Sequence, residues 1–243
     1  AMLRSLVGSE MCIRDRSKEI GTLLSREEGK TLPEGIGEVV RSGQQFQYYA
    51  ASALRQFGEN IASTREGVSV EMTREPVGVC GIISPWNFPI AIAAWKAAPA
   101  MAFGNAIVLK PASQTPASAI ALTKIISDQA DIPEGLFNLV LGGGGTIGHQ
   151  ISGHPDIDAI SFTGSVSVGQ TIYMEAAKTM KKMQLEMGSK NPLLVMDDAD
   201  LDIAVACATN GAYGGTGQKC TASSRLIVHE KVYKDFIQRL IKS

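Results

Sequence analysis

Cys220 is the residue whose sequence surroundings favour chemistry over packing. It lies in the polar segment Gly217–Ala222 (GQKCTA), whereas a cysteine buried as a small apolar residue is normally flanked by apolar residues. A thiolate attacks carbonyl carbon readily and leaves a thioester that water can hydrolyse. Cys80 and Cys207 lie in the apolar runs VGVCGI and AVACA, so we expect both to be packing residues. Cys220 is therefore the candidate nucleophile.

Two glycine-rich loops are candidates for holding phosphate groups. Gly143–Gly148 (GGGTIG) matches the pattern GxGxxG after an apolar run, and Phe162–Gly169 (FTGSVSVG) also lies between an apolar run and a predicted helix. Backbone amides at a helix N-terminus bind anions. The first loop lacks the acidic residue expected about twenty positions later, because no Asp or Glu occurs between Asp158 and Glu175. Ordinary turns and helix caps would explain both loops equally well.

The composition is that of an ordinary folded protein and excludes several function classes. The chain has 243 residues, with 23 Lys and Arg against 24 Asp and Glu, so its formal net charge is −1. This charge gives no field for attracting nucleic acid or an anionic membrane. Four cysteines without a CxxC pair, and three histidines, predict neither a disulfide framework nor a metal site. We expect a protein of a reducing compartment, the cytoplasm.

One stretch is long enough to raise the question of a membrane span. Pro76–Trp95 contains twenty consecutive residues without a charge, about the length of a spanning helix. Its prolines would break a helix repeatedly and leave backbone groups unpaired in lipid. We therefore expect a buried strand followed by a turn, and no membrane contact.

Short apolar runs alternate with helical stretches along the chain. After a helical segment from Ser17 to about Phe57, the pattern predicts an extended stretch at 69–78 and a helix that begins at Thr115-Pro116. The predicted strands lie at 79–84, 106–109, 137–141, 159–162, 183–186 and 192–196. Strands that alternate with helices in this way are typical of βαβ units. The sequence thus predicts an α/β fold with a doubly wound, mostly parallel sheet that binds ligands at the carboxyl ends of its strands.

The first sixteen residues differ from the rest of the chain. Residues 1–16 (AMLRSLVGSEMCIRDR) fit no clear amphipathic period and resemble the translated read-through of a sequencing adaptor. We therefore predict a non-native leader and leave Cys12 out of the functional reasoning. The alternative is a genuine N-terminal helix.

Four segments taken together indicate a family. They are Pro85–Pro89 (PWNFP), Lys110–Ala112 (KPA), Leu185–Asn191 (LEMGSKN) and Gly217–Ala222 (GQKCTA). With FTGS at 162–165, they follow the order of the aldehyde dehydrogenase superfamily, which the chain resembles from about residue 18 to 243. Within the superfamily, the motifs EMGSKNP and GQKCTASSRLIV are most similar to those of 2-oxoglutarate semialdehyde (2,5-dioxopentanoate) dehydrogenases. Succinate-semialdehyde dehydrogenases share most of the residues in these motifs. The resemblance implies a Rossmann-like dinucleotide-binding domain and NADP- or NAD-dependent oxidation of a small aldehyde to the acid.

The resemblance implies three catalytic roles. Cys220 would form a thiohemiacetal and then a thioester, and Asn87, with the Cys220 backbone N–H, would stabilise the developing alkoxide. Glu186, 34 residues before the cysteine, would activate water against the thioester. Coenzyme-A-acylating members of the family usually lack this glutamate, so we expect hydrolysis. The alternatives are that Asn87 only forms a turn and that Glu186 is only an exposed surface residue.

The resemblance also implies the cofactor contacts. Lys110 would bond the ribose hydroxyls of the adenosine, while Trp86 and Ser165 would lie along the pyrophosphate. Ser113 stands where many NAD-preferring relatives carry a glutamate that would repel a 2′-phosphate, so we expect NADP to be accepted, with Lys110 as its countercharge. The other predicted cofactor-binding residues are Ser84, Pro85, Gly143 and Gly164.

The same resemblance divides the chain. We expect N-terminal helices and the NAD(P)-binding domain at 17–187, and the beginning of a second α/β catalytic domain, carrying the nucleophile, at 188–243. Full-length relatives are about twice as long and usually homo-oligomeric, so we expect a truncated chain that lacks much of the aldehyde tunnel. The alternative function is a non-catalytic dinucleotide-binding fragment.

Overall fold

The computed structural model describes residues 2–55, 58–129 and 132–243. The helices are α1 (Met2–Asp15), α2 (Ser17–Glu28), α3 (Leu32–Ala53), α4 (Ala91–Ala102), α5 (Pro116–Gln129), α6 (His149–Gly153), α7 (Val166–Ala177), α8 (Leu201–Tyr213) and α9 (Glu230–Lys242). The strands are β1 (Glu59–Ala62), β2 (Ser69–Met72), β3 (Val79–Ile83), β4 (Ala106–Lys110), β5 (Phe137–Leu139), β6 (Ala159–Gly164), β7 (Lys182–Met187), β8 (Asn191–Val195) and β9 (Ser223–Val228).

A five-stranded parallel sheet forms the centre of the molecule. Its strand order is β5-β4-β3-β6-β7, so the chain starts in the middle, proceeds to one edge and then returns to build the other. Successive residues of β3 point to opposite faces: Ile82 packs in the core with α1–α5, and Ile83 packs in the core with α6 and α7. The doubly wound α/β fold predicted from the sequence is confirmed.

A smaller second unit follows β7. Strands β8 and β9 pair in parallel as a separate two-stranded sheet, and α8 and α9 pack against it around the fully buried Phe236. The predicted boundary after residue 187 coincides with the end of β7. The assignment of 188–243 to the start of a catalytic domain stays a prediction.

The first sixteen residues include a packed helix. Leu6 and Ile13 of α1 are buried in the same core as α3, although the sequence showed no clear amphipathic period. The two residues are seven positions apart, which brings them to one helix face. The helical alternative is thus the conformation of this segment, while its foreign origin stays a prediction.

Cys207 was predicted to be a packing residue, and this is wrong. Helix α8 buries Val205 and Ala208, while Cys207 is exposed. A helix that packs on one side only leaves the residue between two buried positions facing outward. Cys80, in β3, is half-buried as its apolar surroundings indicated, and burial raises the pKa of its thiol.

The uncharged stretch 76–95 contains β3, a turn and the first residues of α4, as expected from its prolines. In the described ranges, no helix is both long enough and apolar enough to cross a membrane. Strand β1, which was not predicted from the sequence, pairs antiparallel with β2, and all residues of these two strands are exposed.

Candidate active site

Cys220 lies in a tight loop between α8 and β9. Gly215, Thr216 and Gly217 all have positive φ values, of 62°, 58° and 71°. A side chain at Gly217 would place its Cβ 2.8 Å from the carbonyl oxygen of Ala212, so only glycine fits this turn without strain. The loop presents Cys220 as an exposed thiol, as its polar sequence indicated.

Glu186 lies on β7, the edge strand, next to the last residue of the strand. Its Oε1 accepts a hydrogen bond of 2.9 Å from Nε2 of Gln184. Glu186 and Cys220 line the same cavity of about 370 Å³, with Trp95, Lys96 and other residues of α4, β6 and β7. The structure therefore brings the predicted nucleophile and the predicted base to one space.

Asn87 lies in the turn between β3 and α4 and meets the cysteine loop directly. Its Nδ2 donates a hydrogen bond of 2.7 Å to the carbonyl oxygen of Gln218, two residues before Cys220. Asn87 and Cys220 also line a second cavity of about 550 Å³. Cys220 thus shares one cavity with Glu186 and the other with Asn87, although Asn87 and Cys220 are 133 residues apart in the chain.

The second cavity contains most of the predicted cofactor residues. It follows the carboxyl ends of β3 and β6, where parallel sheets bind their ligands. Its lining includes Ser84, Pro85, Trp86, Gly164 and Ser165.

Helix α7 begins at this cavity. Ser165 is its N-cap, and the Ser165 Oγ accepts a hydrogen bond of 3.4 Å from the Val168 amide. The positive end of the helix therefore faces the space. A third cavity, of about 360 Å³, shares Ile83 and Val168 with the second and extends to Gly144, Gly145 and Gly148.

Three predicted cofactor residues lie beside these cavities and not in their linings. Lys110, at the end of β4, is 3% exposed, and its Nζ donates to the carbonyl oxygen of Pro111 at 2.7 Å. Burial lowers the pKa of Lys110. The Ser113 Oγ lies 3.4 Å from the carbonyl oxygen of Gly142, and Gly143 precedes the single π-helical turn that leads into α6.

Lys96 is a site residue that the sequence analysis missed. It belongs to α4, is 9% exposed, and its Nζ donates to the Ser161 Oγ at 2.7 Å and to the Gln184 Oε1 at 2.9 Å. Hydrogen bonds therefore connect Lys96 to Glu186 through Gln184. Burial lowers the pKa of Lys96 to about 8, although Glu186 acts in the opposite direction. The available signal was a single lysine in the otherwise uncharged helix AIAAWKAAPAMA.

Comparison with known proteins identifies the family to which the chain is similar. A sequence profile described as "Aldehyde dehydrogenase family" matches residues 4–243. The alpha-ketoglutaric semialdehyde dehydrogenase of Bacillus subtilis is 45% identical over 232 residues, which are 95% of this chain and 47% of that protein.

Two solved structures superpose closely on the chain. One is a betaine aldehyde dehydrogenase point mutant from Staphylococcus aureus in complex with NAD+ (36% identity, TM-score 0.97, 99% of this chain and 48% of that one). The other is described as an E. coli NADP-dependent enzyme (36% identity, TM-score 0.97, 99% and 50%). The chain thus spans about half the length of the proteins that it matches.

Proposed function

The chain belongs to the aldehyde dehydrogenase family, and from this premise we propose that its site oxidises an aldehyde to the carboxylic acid with NADP or NAD. The observation that carries the proposal is the convergence of Cys220, Glu186 and Asn87 on adjoining cavities at the carboxyl edge of the sheet. A thiol, a carboxylate and an amide donor around one space are the groups that acyl chemistry through a thioester needs.

The residues of the second cavity fit a dinucleotide. The N-terminus of α7 and the Ser165 hydroxyl offer donors to a pyrophosphate. The Ser84 Oγ is buried and has no hydrogen-bond partner in the described part of the chain, so a ligand in this cavity would supply the missing bond. When bound, a nicotinamide cofactor supplies the two-electron acceptor for the oxidation.

Cys220 and Asn87 act in the first half of the reaction. The Cys220 thiolate attacks the aldehyde carbon, and a carbon–sulfur bond forms while the carbonyl oxygen becomes an alkoxide. The Asn87 amide has two N–H groups, and since one bonds the Gln218 carbonyl, the other is available to the alkoxide. Removing one such donor typically costs about 100-fold or more in rate.

Glu186 acts in the second half. Its carboxylate takes a proton from water, the resulting hydroxide attacks the thioester carbon, and the carbon–sulfur bond breaks to release the acid and the Cys220 thiolate. The bond from Gln184, which itself accepts from Lys96, holds the carboxylate in the cavity shared with Cys220.

For the substrate, we propose 2-oxoglutarate semialdehyde, with succinate semialdehyde as the alternative. The proposal is supported by the sequence motifs at 186–192 and 217–228 and by the 45% identity to a relative that is named for this aldehyde. For the cofactor, relatives at equal similarity are named for NADP and NAD+, and Ser113 carries no charge that would repel a 2′-phosphate. The cytoplasmic location and the homo-oligomer stay predictions.

The test is the rate of absorbance increase at 340 nm with each semialdehyde and with NADP or NAD, for the parent chain and for Cys220→Ala. Cys207→Ala is the matched control, because this second exposed thiol lies outside the site cavities. We expect Cys220→Ala to abolish reduction and Cys207→Ala to retain it. Loss of a measurable rate in all three proteins, with NADP binding retained, would favour the non-catalytic fragment.

Cofactor choice is tested separately. We expect Ser113→Glu to lower the ratio of NADP to NAD efficiency, because a carboxylate near the 2′-phosphate repels it. An unchanged ratio would contradict the assignment of Ser113.

A further inference from the structure

A buried ion pair lies directly behind the turn that carries Asn87. Lys30, between α2 and α3, and Glu38, in α3, are 4% and 5% exposed, and their Nζ and Oε2 atoms are 2.6 Å apart. A second buried carboxylate, that of Glu28, lies 3.9 Å from the same Nζ. Two charges removed from water cost more free energy than their attraction returns unless further hydrogen bonds satisfy them. The partners of those further hydrogen bonds show which segment of the chain the pair fixes.

Both charges bind the backbone of the Asn87 turn. The Lys30 Nζ donates to the carbonyl oxygen of Asn87 at 2.8 Å and lies 4.0 Å from the ring centroid of Phe88. The Glu38 Oε1 accepts from the amides of Ile90 and Ala91, at 3.0 Å each, where α4 begins. The turn is therefore fixed at Asn87 itself and at the residues that follow it.

The same corner of the molecule also reaches the cysteine loop. Glu34, one turn before Glu38 in α3, accepts a hydrogen bond of 2.7 Å from the Gly215 amide. A hydrogen bond from the Thr31 hydroxyl, and then the bond from Gly215, hold the pKa of Glu34 below its usual range. With the bond from Asn87 to Gln218, the contacts connect three segments: residues 30–38, the Asn87 turn and the cysteine loop.

We propose that the Lys30–Glu38 pair is a positioning device that directs the Asn87 amide towards the alkoxide oxygen, which is carried by the carbon bonded to the Cys220 sulfur. The inference rests on the proposed role of Asn87. Lys30 and Glu38 touch neither substrate nor thiol; they fix the carbonyl on one side of the Asn87 side chain and the helix start on the other. Without the pair, the amide would spend less time in the orientation that receives the alkoxide.

The test compares two reactions of the same thiol. In acylation by p-nitrophenyl acetate, the Cys220 sulfur bonds the acetyl carbon through an oxyanion intermediate and p-nitrophenolate leaves. In alkylation by iodoacetamide, the sulfur displaces iodide without an oxyanion. Release of p-nitrophenolate, corrected for that of Cys220→Ala, gives the acylation rate, and mass spectrometry of the Cys220 peptide gives the alkylation rate. The ratio of the two rates isolates oxyanion stabilisation from thiol access. Neither reaction needs the cofactor or a complete aldehyde pocket.

The test variant is Lys30→Met with Glu38→Gln, which removes both charges of the pair and keeps a side-chain acceptor for the α4 amides. We expect the buried Glu28 carboxyl, whose pKa burial already raises, to become neutral by protonation in this variant. We expect the acylation-to-alkylation ratio to fall about tenfold, less than the roughly 100-fold loss expected for Asn87→Ala. Adding Asn87→Ala to the double variant should lower the ratio no further than Asn87→Ala alone, because both changes remove one effect. Lys231→Met with Asp197→Asn, which removes an exposed ion pair in the second unit, is the matched control and should leave the ratio unchanged.

The outcomes distinguish the positioning role of the Lys30–Glu38 pair from the proposed function, in which Asn87 stabilises the alkoxide. A ratio unchanged in the double variant but lowered by Asn87→Ala would overturn the positioning role and leave the proposed function intact. A ratio unchanged by Asn87→Ala would overturn both. If circular dichroism shows that the double variant is unfolded, Glu38→Gln alone replaces it, with an expected fall of about threefold from the weakened hold on Lys30; an unchanged ratio there would also overturn the positioning role.

Discussion

The two units of the molecule hold the predicted catalytic residues in different ways. In the five-stranded unit, Glu186 stands on a strand and Asn87 follows one, with buried cores on both faces of the sheet. In the β8–β9 unit, Cys220 stands on a loop with three consecutive positive φ values, beside a small core. Strand positions and the hydrogen bonds from Gln184, Lys30 and Glu38 therefore hold the predicted base and amide donor, whereas a turn with positive φ values holds the predicted nucleophile.

The surfaces of the two units differ as well. Leu194, Ile203 and Ile227 of the second unit are 59%, 63% and 53% exposed. The corresponding core strands of the five-stranded unit bury their isoleucines and leucines on both faces. Because the second unit has less buried apolar packing, the position of Cys220 relative to the large unit depends on a few hydrogen bonds between the units. The main ones run from Asn87 to Gln218 and from Gly215 to Glu34.

The largest expected effect concerns Glu186, on the strand, because its replacement should stop release of the acyl group and leave Cys220, on the loop, reactive. We expect Glu186→Gln to slow release of the acyl group by about a thousandfold, because the amide cannot take a proton from water, while Cys220 still becomes acylated. Acetylated Cys220 should accumulate after treatment with p-nitrophenyl acetate, measured by mass spectrometry over time. Gln184→Ala, which removes the bond that orients the carboxylate, should give a smaller effect in the same direction. Unchanged release in Glu186→Gln would show that another group acts as the base.

The next prediction concerns the two cores. Phe46, in the large core, and Phe236, in the small one, are both fully buried. We expect Phe46→Ala to lower the free energy of unfolding of the whole chain by about 3 kcal/mol. Phe236→Ala should unfold the second unit first, so that urea titration shows two transitions and NADP binding survives the first one. A single transition in both variants would contradict the independence of the two cores.

The sequence predicts the large unit better than the small one, for physical reasons. The strand runs at 79–84, 106–109 and 159–162 are confirmed, because strands in the middle of a parallel sheet are largely apolar runs. The run at 183–186 is confirmed as β7, a partly exposed edge strand. Cys207 was misjudged, because an apolar run in a helix that packs on one side does not show which residues face outward.

Contacts between distant segments could not be predicted in the same way. No local pattern connects Lys30 to Asn87 or Lys96 to Glu186, since these contacts depend on how the helices pack on the sheet. The family resemblance supplied Asn87 and Glu186, and the structure added the residues that hold them.

A third prediction uses the buried lysine of the large unit. The folded-state pKa of Lys96, about 8, lies below its ordinary value of 10.5, so between these values the unfolded chain binds more protons than the folded one. The contribution of Lys96 therefore makes the protein more stable as the pH rises from 8 to 10.5, by about 2 kcal/mol. Urea unfolding at pH 7.5 and pH 10 measures this increment. Lys96→Met should remove it, and Lys182→Met, at an exposed position on β7, should retain it. Equal increments in both variants would contradict the assignment.

The smallest expected effect falls on the turn that holds the nucleophile. Gly217→Ala introduces a side chain where φ is 71° and where its Cβ would lie 2.8 Å from the Ala212 carbonyl oxygen. We expect a cost of about 1 kcal/mol or slightly more, which the loop relieves by shifting Gln218 away from Asn87. The acylation rate of Cys220 should then fall more than its alkylation rate, because the oxyanion loses its donor while the thiol stays exposed. Gly37→Ala, in α3 with open space around its Cβ, is the control and should change neither rate. If Gly217→Ala also changes neither, the hydrogen bonds between the units, and not the turn, set the position of Cys220.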